Sequence, residues 1–282
     1  MKILIFGASG TVGRAVFRKL SGVDGYEVHG TFNKNKPKHC NENYWRKCDI
    51  ANIVGLNELL DEIKPDLLVS SLTGDFIQQS MAHKAMADYL NKTSGRMIYV
   101  STVNVFDGMV GGNHTETVSP YPLSQYGDFK RNCEEMLLWS LGNKCLVARL
   151  PRIISKDTVE NTVRHIESGN GFYSNLFFNC NTPQNLADAI LYSIKENKSG
   201  VLHLVSHDFL SDADLARKII TAVGLEIDIP VLELNPQSYC TLLGCSDLSK
   251  LHQSNDGGFY LTMVCTDEVI AARFRISCAE GE

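Results

Sequence analysis

The first thirteen residues constrain the fold more than any other stretch. Lys2-Ile3-Leu4-Ile5-Phe6 is a short, strand-like apolar run, and it empties directly into Gly7-Ala8-Ser9-Gly10-Thr11-Val12-Gly13. A helical pattern follows at once. Glycines at these spacings let the backbone turn tightly and approach a pyrophosphate, while the N–H groups and dipole of a helix start attract the anion. A lone G-x-x-G-x-x-G match says little. Between a first strand and a first helix it predicts a dinucleotide site with Gly7, Ser9, Gly10, Thr11, Val12 and Gly13 along the cofactor. A glycine-rich turn that binds nothing is the plain alternative.

The rest of the chain keeps the rhythm that such a site requires. Strand-like runs occur at 2–6, 26–32, 44–48, 66–71, 96–102 and 144–149, and helical patterns lie between them. Leu56, Leu59, Leu60 and Ile63 fall at i, i+3, i+4 and i+7. A helix over 76–91 would bury Ile77, Met81, Ala85 and Tyr89, and another from near Ser124 carries Phe129, Cys133, Met136 and Leu137. Alternation of this kind gives a Rossmann-type, doubly wound parallel sheet in an α/β chain. We expect residues 1–150 to form the dinucleotide-binding domain, joined by about 182–206 with a helix near 184–196 and a strand at 201–205. Residues 151–181 and 207–282 would form a smaller C-terminal substrate-binding lobe with a helix at 211–223. From about 225 onward no pattern is assignable.

Charge and composition narrow the partners. Lys and Arg number 27 against 32 Asp and Glu, a net charge of -5 with no basic stripe, which argues against nucleic acid. No apolar run reaches the ~20 residues that a membrane span needs. Met1 leads straight into a strand, leaving no room for a signal peptide, so a cytoplasmic protein is expected. The nine cysteines are odd in number and show no C-x-x-C pair. His39-Cys40 and Cys240/Cys245 lack the tight paired spacing of zinc ligands, so no metal is expected.

The second strand bears on which dinucleotide binds. Enzymes for NAD usually end that strand in Asp or Glu, whereas a 2′-phosphate wants a cation. Here it ends in Asn33-Lys34-Asn35-Lys36, and Glu27 comes too early to reach the adenosine ribose. NADPH is therefore expected over NADH, with Asn33 and Lys34 at the adenosine end. The same lysines would also suit a solvated loop.

The fifth strand ends in Ser101-Thr102, and Tyr126-Gly127-Asp128-Phe129-Lys130 follows at the start of a helix. Tyr and Lys at i and i+4 share a helix face. An ammonium beneath a phenol favours its ionised form and lowers its pKa from about 10. A phenol so placed can protonate a carbonyl oxygen as hydride reaches the carbon. A hydroxyl from Thr102, at the carboxyl end of a strand, could hold the same oxygen.

With these residues in hand, the sequence resembles the extended short-chain dehydrogenases/reductases. Within them, Ser101-Thr102-Val103-Asn104-Val105-Phe106-Asp107-Gly108 looks like the S-T-x-x-V-F-D-G signature of the dTDP-4-dehydrorhamnose reductases. Glu116, Pro122-Leu123-Ser124-Gln125-Tyr126-Gly127 and Lys64-Pro65-Asp66 are similar to that group as well. The resemblance covers about 1–223. It implies that Thr102 orients the substrate carbonyl, Tyr126 donates the proton, and Lys130 binds the nicotinamide ribose and tunes Tyr126. It also implies that Asp49, Ile50, Ser71 and Leu72 lie along the cofactor.

Departures from the group's pattern cluster near the substrate. Asn104 stands where the group usually has Tyr, and Arg152 where an aromatic often packs on the sugar. Among Arg149, Arg152 and Arg164, Arg149 reads as structural and Arg152 as the cation to meet a diphosphate. The implied function is NADPH-dependent reduction of a 4-keto nucleotide sugar, the keto-sugar being the small-molecule partner and a homodimer possible. Two alternatives stay open: a non-catalytic NADP-binding regulatory subunit, as in the related β subunits of methionine adenosyltransferase, and a sugar-nucleotide epimerase. A dehydratase fits less well, because Val103-Asn104 replace the acidic pair that usually follows the strand-end Thr.

Overall fold

A computed structural model of the protein describes residues 1–37, 41–109, 114–205 and 210–234. The His39-Cys40 and Cys240/Cys245 pairs and the end of the expected C-terminal lobe lie outside the described residues. The chain forms two compact units. The first comprises Met1–Ser101, Phe129–Arg149 and Gln184–Leu202. The second comprises Thr102–Asp128, Leu150–Pro183 and the described residues from His203 onward.

Six strands carry the fold: β1 (Lys2–Phe6), β2 (Glu27–Phe32), β3 (Trp45–Lys47), β4 (Leu67–Ser70), β5 (Arg96–Thr102) and β6 (Cys145–Leu150). With Gly200–His203 they form one seven-stranded sheet in the order Gly200–His203, β6, β5, β4, β1, β2, β3. β1 pairs in parallel with β2 on one side and β4 on the other, and the β2–β3 and β4–β5 pairs are parallel too. This is the Rossmann order, as the sequence led us to expect. Its strand order reverses between β1 and β4, where such sheets bind ligands beyond the strands' carboxyl ends.

Among the described residues, seven helices accompany the strands: α1 (Thr11–Ser21), α2 (Ile53–Ile63), α3 (Phe76–Asn91), α4 (Gln125–Leu141), α5 (Lys156–Glu167), α6 (Pro183–Lys195) and α7 (Asp212–Ala222). The local chemistry sets their ends. Asn52 caps α2 through Gly55 N, and the helix stops at Lys64, in the left-handed conformation with φ 51°. Pro65 cannot continue a helix, and the Asp66 carboxylate then accepts from Lys2 N at 2.7 Å. The Lys64-Pro65-Asp66 run is thus a stop signal followed by an anchor to β1.

Leu56, Leu60, Leu68, Met86, Leu90 and Leu137 are wholly buried in the core that α2, α3 and α4 build against the sheet. Truncating one such leucine to alanine costs about 2–5 kcal/mol. The expected stripe on α3 is not the buried one. Ile77 is 72% exposed and Met81 53%, while Gln79, Ala82, His83, Met86, Ala87 and Leu90 face inward. A four-residue step drifts about 40° per repeat at 3.6 residues per turn, so Ile77 and Tyr89 never shared a face. Two polar residues hid the true stripe. Gln79 and His83 go inside because each finds a bond there, Gln79 Nε2 to Gly74 O at 2.9 Å and His83 Nε2 with Ser70 Oγ at 2.8 Å.

The second unit is built from short strand pairs and two capped helices. Arg152–Ile153 pairs in parallel with Cys180–Asn181, Phe177–Phe178 antiparallel with Leu210–Ser211, and Phe172–Tyr173 in parallel with Val231–Leu232. Ser155 and Thr158 form a capping box at α5, and Ser211 caps α7 through Asp214 N. Ile154, Phe178, Cys180, Leu215 and Ile219 make one buried cluster; Ile166, Phe172, Ala213, Ala216, Ile220 and Ile229 make another. Among the described residues, no helix is long and apolar enough to cross a membrane.

Candidate functional site

The glycine loop is a cradle closed by β4. Gly7 has φ +77°, a conformation that disfavours a side chain, and a Cβ there would lie 2.6 Å from Ser71 O. A Cβ on Gly13 would lie 2.3 Å from Gly7 O and 2.5 Å from Ser71 Oγ. Gly10 N bonds Gly7 O at 3.0 Å, and Ser71 Oγ donates to Phe6 O and Gly7 O at 3.2 and 3.3 Å. Gly10 is the N-cap of α1 and offers no side-chain bond to the first turn. Those N–H groups, with Gly10 and Thr11 exposed and Ser9 and Val12 half-buried, suit an anion. The residues fit a dinucleotide's pyrophosphate.

Other candidates fall at the same ends of the parallel strands. Asn33 and Lys34 are exposed just after β2, Asp49 is exposed and Ile50 buried after β3, and Ser71 and Leu72 are half-buried after β4. Asp49 Oδ1 accepts from Ala51 N at 3.1 Å, which fixes the turn into α2. Arg14 was missed by the sequence reading. Its Nη2 donates to Ser9 O at 2.7 Å, placing a guanidinium beside the loop, and its only signal was a cation directly after the third glycine.

Within the second unit, the segment after β5 is folded back onto the start of α4. Thr102 is buried and begins the short helical turn Val103–Phe106. Its Oγ1 donates to Asn104 Oδ1 at 2.9 Å and accepts from Asn104 N at 3.2 Å. Asp107 Oδ1 accepts from Leu123 N at 2.6 Å and Ser124 N at 3.1 Å, and its Oδ2 accepts from Ser124 Oγ. Ser124 Oγ in turn accepts from Gly127 N at 3.0 Å. A Cβ on Gly127 would lie 2.4 Å from Asn104 O, so the Tyr-Gly pair needs its glycine for this close approach. Asp107 sat in plain view in the sequence signature, but its anchoring role depends on a partner 16 residues away.

These bonds set the placement of Tyr126. It is 40% exposed, and the Thr102 hydroxyl acts on its phenol. Partial burial pushes the phenol above its ordinary value, and the Thr102 hydroxyl offsets only part of this. The expectation of a lowered phenol pKa is therefore not met by the protein's own groups; desolvation outweighs the stabilisation of phenolate. Lys130 follows by one turn of α4. It is 4% exposed, its Nζ donates to Val100 O at 3.0 Å, and it lies 4.9 Å from the centre of the Tyr99 ring. Burial lowers it to about 8.

The arginines separate clearly. Arg149 is buried and paired with Glu134 at 2.6 Å, a structural role, as expected. Arg164 lies on α5 beside Glu160 at 3.8 Å. Arg152 donates to Asp212 Oδ1 at 2.7 Å and stacks 4.7 Å above the Phe178 ring, with 39% of its side chain exposed.

Comparison with known proteins gives this arrangement its context. The chain is 23% identical over 290 residues to a dTDP-4-dehydrorhamnose reductase from Aggregatibacter actinomycetemcomitans, covering 90% of this chain and 92% of that protein. It is 24% identical to the β subunit of methionine adenosyltransferase 2 from Danio rerio, over 49% of this chain and 43% of the relative. A dTDP-4-dehydrorhamnose reductase from Bacillus anthracis, solved in complex with NADP, shares the fold with a TM-score of 0.76 at 17% identity, over 98% of each chain. A family model described as the RmlD substrate binding domain matches residues 75–240. That match takes in β5, α4 and both capped helices of the second unit, more than half of the chain, and the protein belongs to this family.

Proposed function

We propose that the protein is an NADPH-dependent reductase of a 4-keto nucleotide sugar. The observation that carries the reading is the folding of the Thr102 strand end onto the Tyr126-Gly127 helix start, where Gly127 meets Asn104 O and the Thr102 hydroxyl acts on the Tyr126 phenol, with Lys130 one turn further along the same helix. In this reading the nicotinamide, when bound, supplies the hydride. Thr102 holds the carbonyl oxygen and turns its own hydroxyl from Asn104 to do so. Tyr126 gives its phenolic proton to that oxygen; a phenol raised above its ordinary value stays protonated through neutral pH and is ready as an acid. Lys130 binds the nicotinamide ribose and, through its charge, eases the phenol's loss of a proton.

The glycine cradle from Gly7 to Gly13 would hold the pyrophosphate, with Asp49, Ile50, Ser71 and Leu72 along the dinucleotide. Lys34 supports NADPH over NADH, since a cation rather than a carboxylate follows β2 beside the neutral Asn33, and Arg14 adds a second cation at the glycine loop. Asn104 and Arg152 are the proposed substrate-side groups. The test is NADPH oxidation in the presence of a nucleoside-diphosphate 4-keto-6-deoxy sugar. Saturable oxidation supports the reading; tight NADPH binding with no turnover on a panel of keto-sugars overturns it.

The likeness to a methionine adenosyltransferase β subunit favours one second reading, a cofactor-binding subunit without turnover. Stable co-elution with a methionine adenosyltransferase catalytic chain, together with absent reductase activity, would establish it.

A further inference from the structure

Behind the strand end lies a charged cluster that the chemistry above does not use. Glu134, on α4 one turn beyond Lys130, is 2% exposed, and Arg149, on β6, is 3% exposed. Arg149 Nη2 donates to Glu134 Oε2 at 2.6 Å, and its Nε reaches both carboxylate oxygens at 3.1 Å. Ser101 Oγ, on β5, donates to Glu134 Oε1. Lys130 and Glu134 thus fasten consecutive turns of α4 to the consecutive residues Val100 and Ser101.

The electrostatics run through the same residues. Lys130 is a desolvated cation, and the groups whose charge favours its protonated form are Cys133 and Glu134. From α3 it meets His83, which burial keeps neutral at about 3; from β5 it meets the Tyr99 ring. A buried ion pair is seldom needed for stability, because apolar side chains of similar volume often serve as well. A carboxylate kept dry beside a lysine calls for another reason.

We propose that Glu134 is a positioning residue for Lys130: its carboxylate pins α4 to the ends of β5 and β6 and holds the Lys130 ammonium in its charged form. The functional meaning of this rests on the role given to Lys130 above, but the link between the two residues does not.

The experiment follows Lys130 directly, by titrating the lysine ε-carbon resonances of the full-length, lysine-labelled protein, with Lys130→Met to assign the signal. Glu134→Gln should move the Lys130 titration down by about one pH unit or more, the usual worth of an adjacent opposite charge. Glu134→Asp should bring it back toward wild type. The alkaline limb of kcat/KM should shift in parallel with the resonance. Since Glu134→Gln leaves the Arg149 charge buried without the Glu134 carboxylate and can fail to fold, the neutral pair Glu134→Gln with Arg149→Met is made as well. A downward shift is expected there too, because the Glu134 charge is absent from both variants. An unmoved resonance in a folded variant overturns the proposal, and so does a moved resonance with an unmoved pH–rate limb. A wild-type protein that turns over no keto-sugar refutes the reductase reading instead, and the resonance alone then decides the link.

Discussion

Ser70 Oγ and His83 Nε2 lie 2.8 Å apart with both residues wholly buried. The pair ties α3 to the end of β4, one residue before Ser71 closes the glycine cradle. Tyr99 packs edge-on against the imidazole, with ring centres 4.9 Å apart. Burial first, and the Lys130 charge second, hold His83 down to about 3.

That depression makes the fold sensitive to acid. A histidine lowered from 6.5 in the unfolded chain to about 3 in the folded one contributes stability that is present above pH 6.5 and lost as pH falls toward 3. The unfolded state takes up the proton first, at a cost to stability of about 1.4 kcal/mol per pH unit across that window. Urea unfolding between pH 4 and 7 should show this slope, and His83→Gln, which can still reach Ser70, should flatten it. An equal slope in the variant would place the acid sensitivity elsewhere.

Tyr126→Phe removes the proposed acid and little else. Turnover should fall by about 10²–10⁴-fold, the usual worth of a positioned proton donor, while the NADPH dissociation constant stays unchanged. Stopped-flow measurement of NADPH oxidation, beside a fluorescence titration of cofactor binding, checks both halves. A variant that keeps most of its activity would remove Tyr126 from the reaction.

The parallel sheet and six of the seven helices among the described residues were legible in the sequence, because short apolar runs and helical spacings are local signals. What stayed hidden needed a partner far along the chain. The inner face of α3 could not be read while Gln79 and His83 looked like surface residues, since Gly74 O and Ser70 Oγ are what make them interior. Helix α5 was missed because Ile166 and Thr162 are its only buried residues, too thin a stripe to show a period. At the candidate site, Tyr126 and Lys130 announced themselves by spacing. Glu134 did not, although it falls in the same i+4 series, because its burial depends on Arg149 from a different strand.

The end of β2 gives the proposed cofactor preference its test. Lys34 is exposed there and Arg14 lies beside the loop, with no carboxylate at the strand tip. NADPH should bind more tightly than NADH, and Lys34→Glu should weaken NADPH by about tenfold or more, at ~1.4 kcal/mol per decade, while leaving NADH nearly unaffected. Fluorescence titration of both cofactors decides it. Equal or tighter binding of NADH by the wild type would reverse the assignment.

Arg152 offers a test of substrate contact that stability does not confound. One edge of its guanidinium is held by Asp212, which also accepts from Tyr173 N at 3.2 Å, and its face lies on Phe178. The side chain is still 39% exposed, so the ion pair is partly screened and contributes about 0.2–1 kcal/mol. Arg152→Ala should therefore fold with little loss. If the exposed edge grips a diphosphate, the substitution should raise KM for the nucleotide sugar by about tenfold or more, at ~1.4 kcal/mol per decade, with NADPH affinity unchanged. Arg152→Lys should recover only part of this, because an ammonium lacks the planar fork that meets phosphate bidentately. Asp212→Asn removes the partner and keeps the cation, so its KM should stay near wild type. An unchanged KM in Arg152→Ala, with a lowered unfolding temperature, would return Arg152 to the scaffold of the second unit.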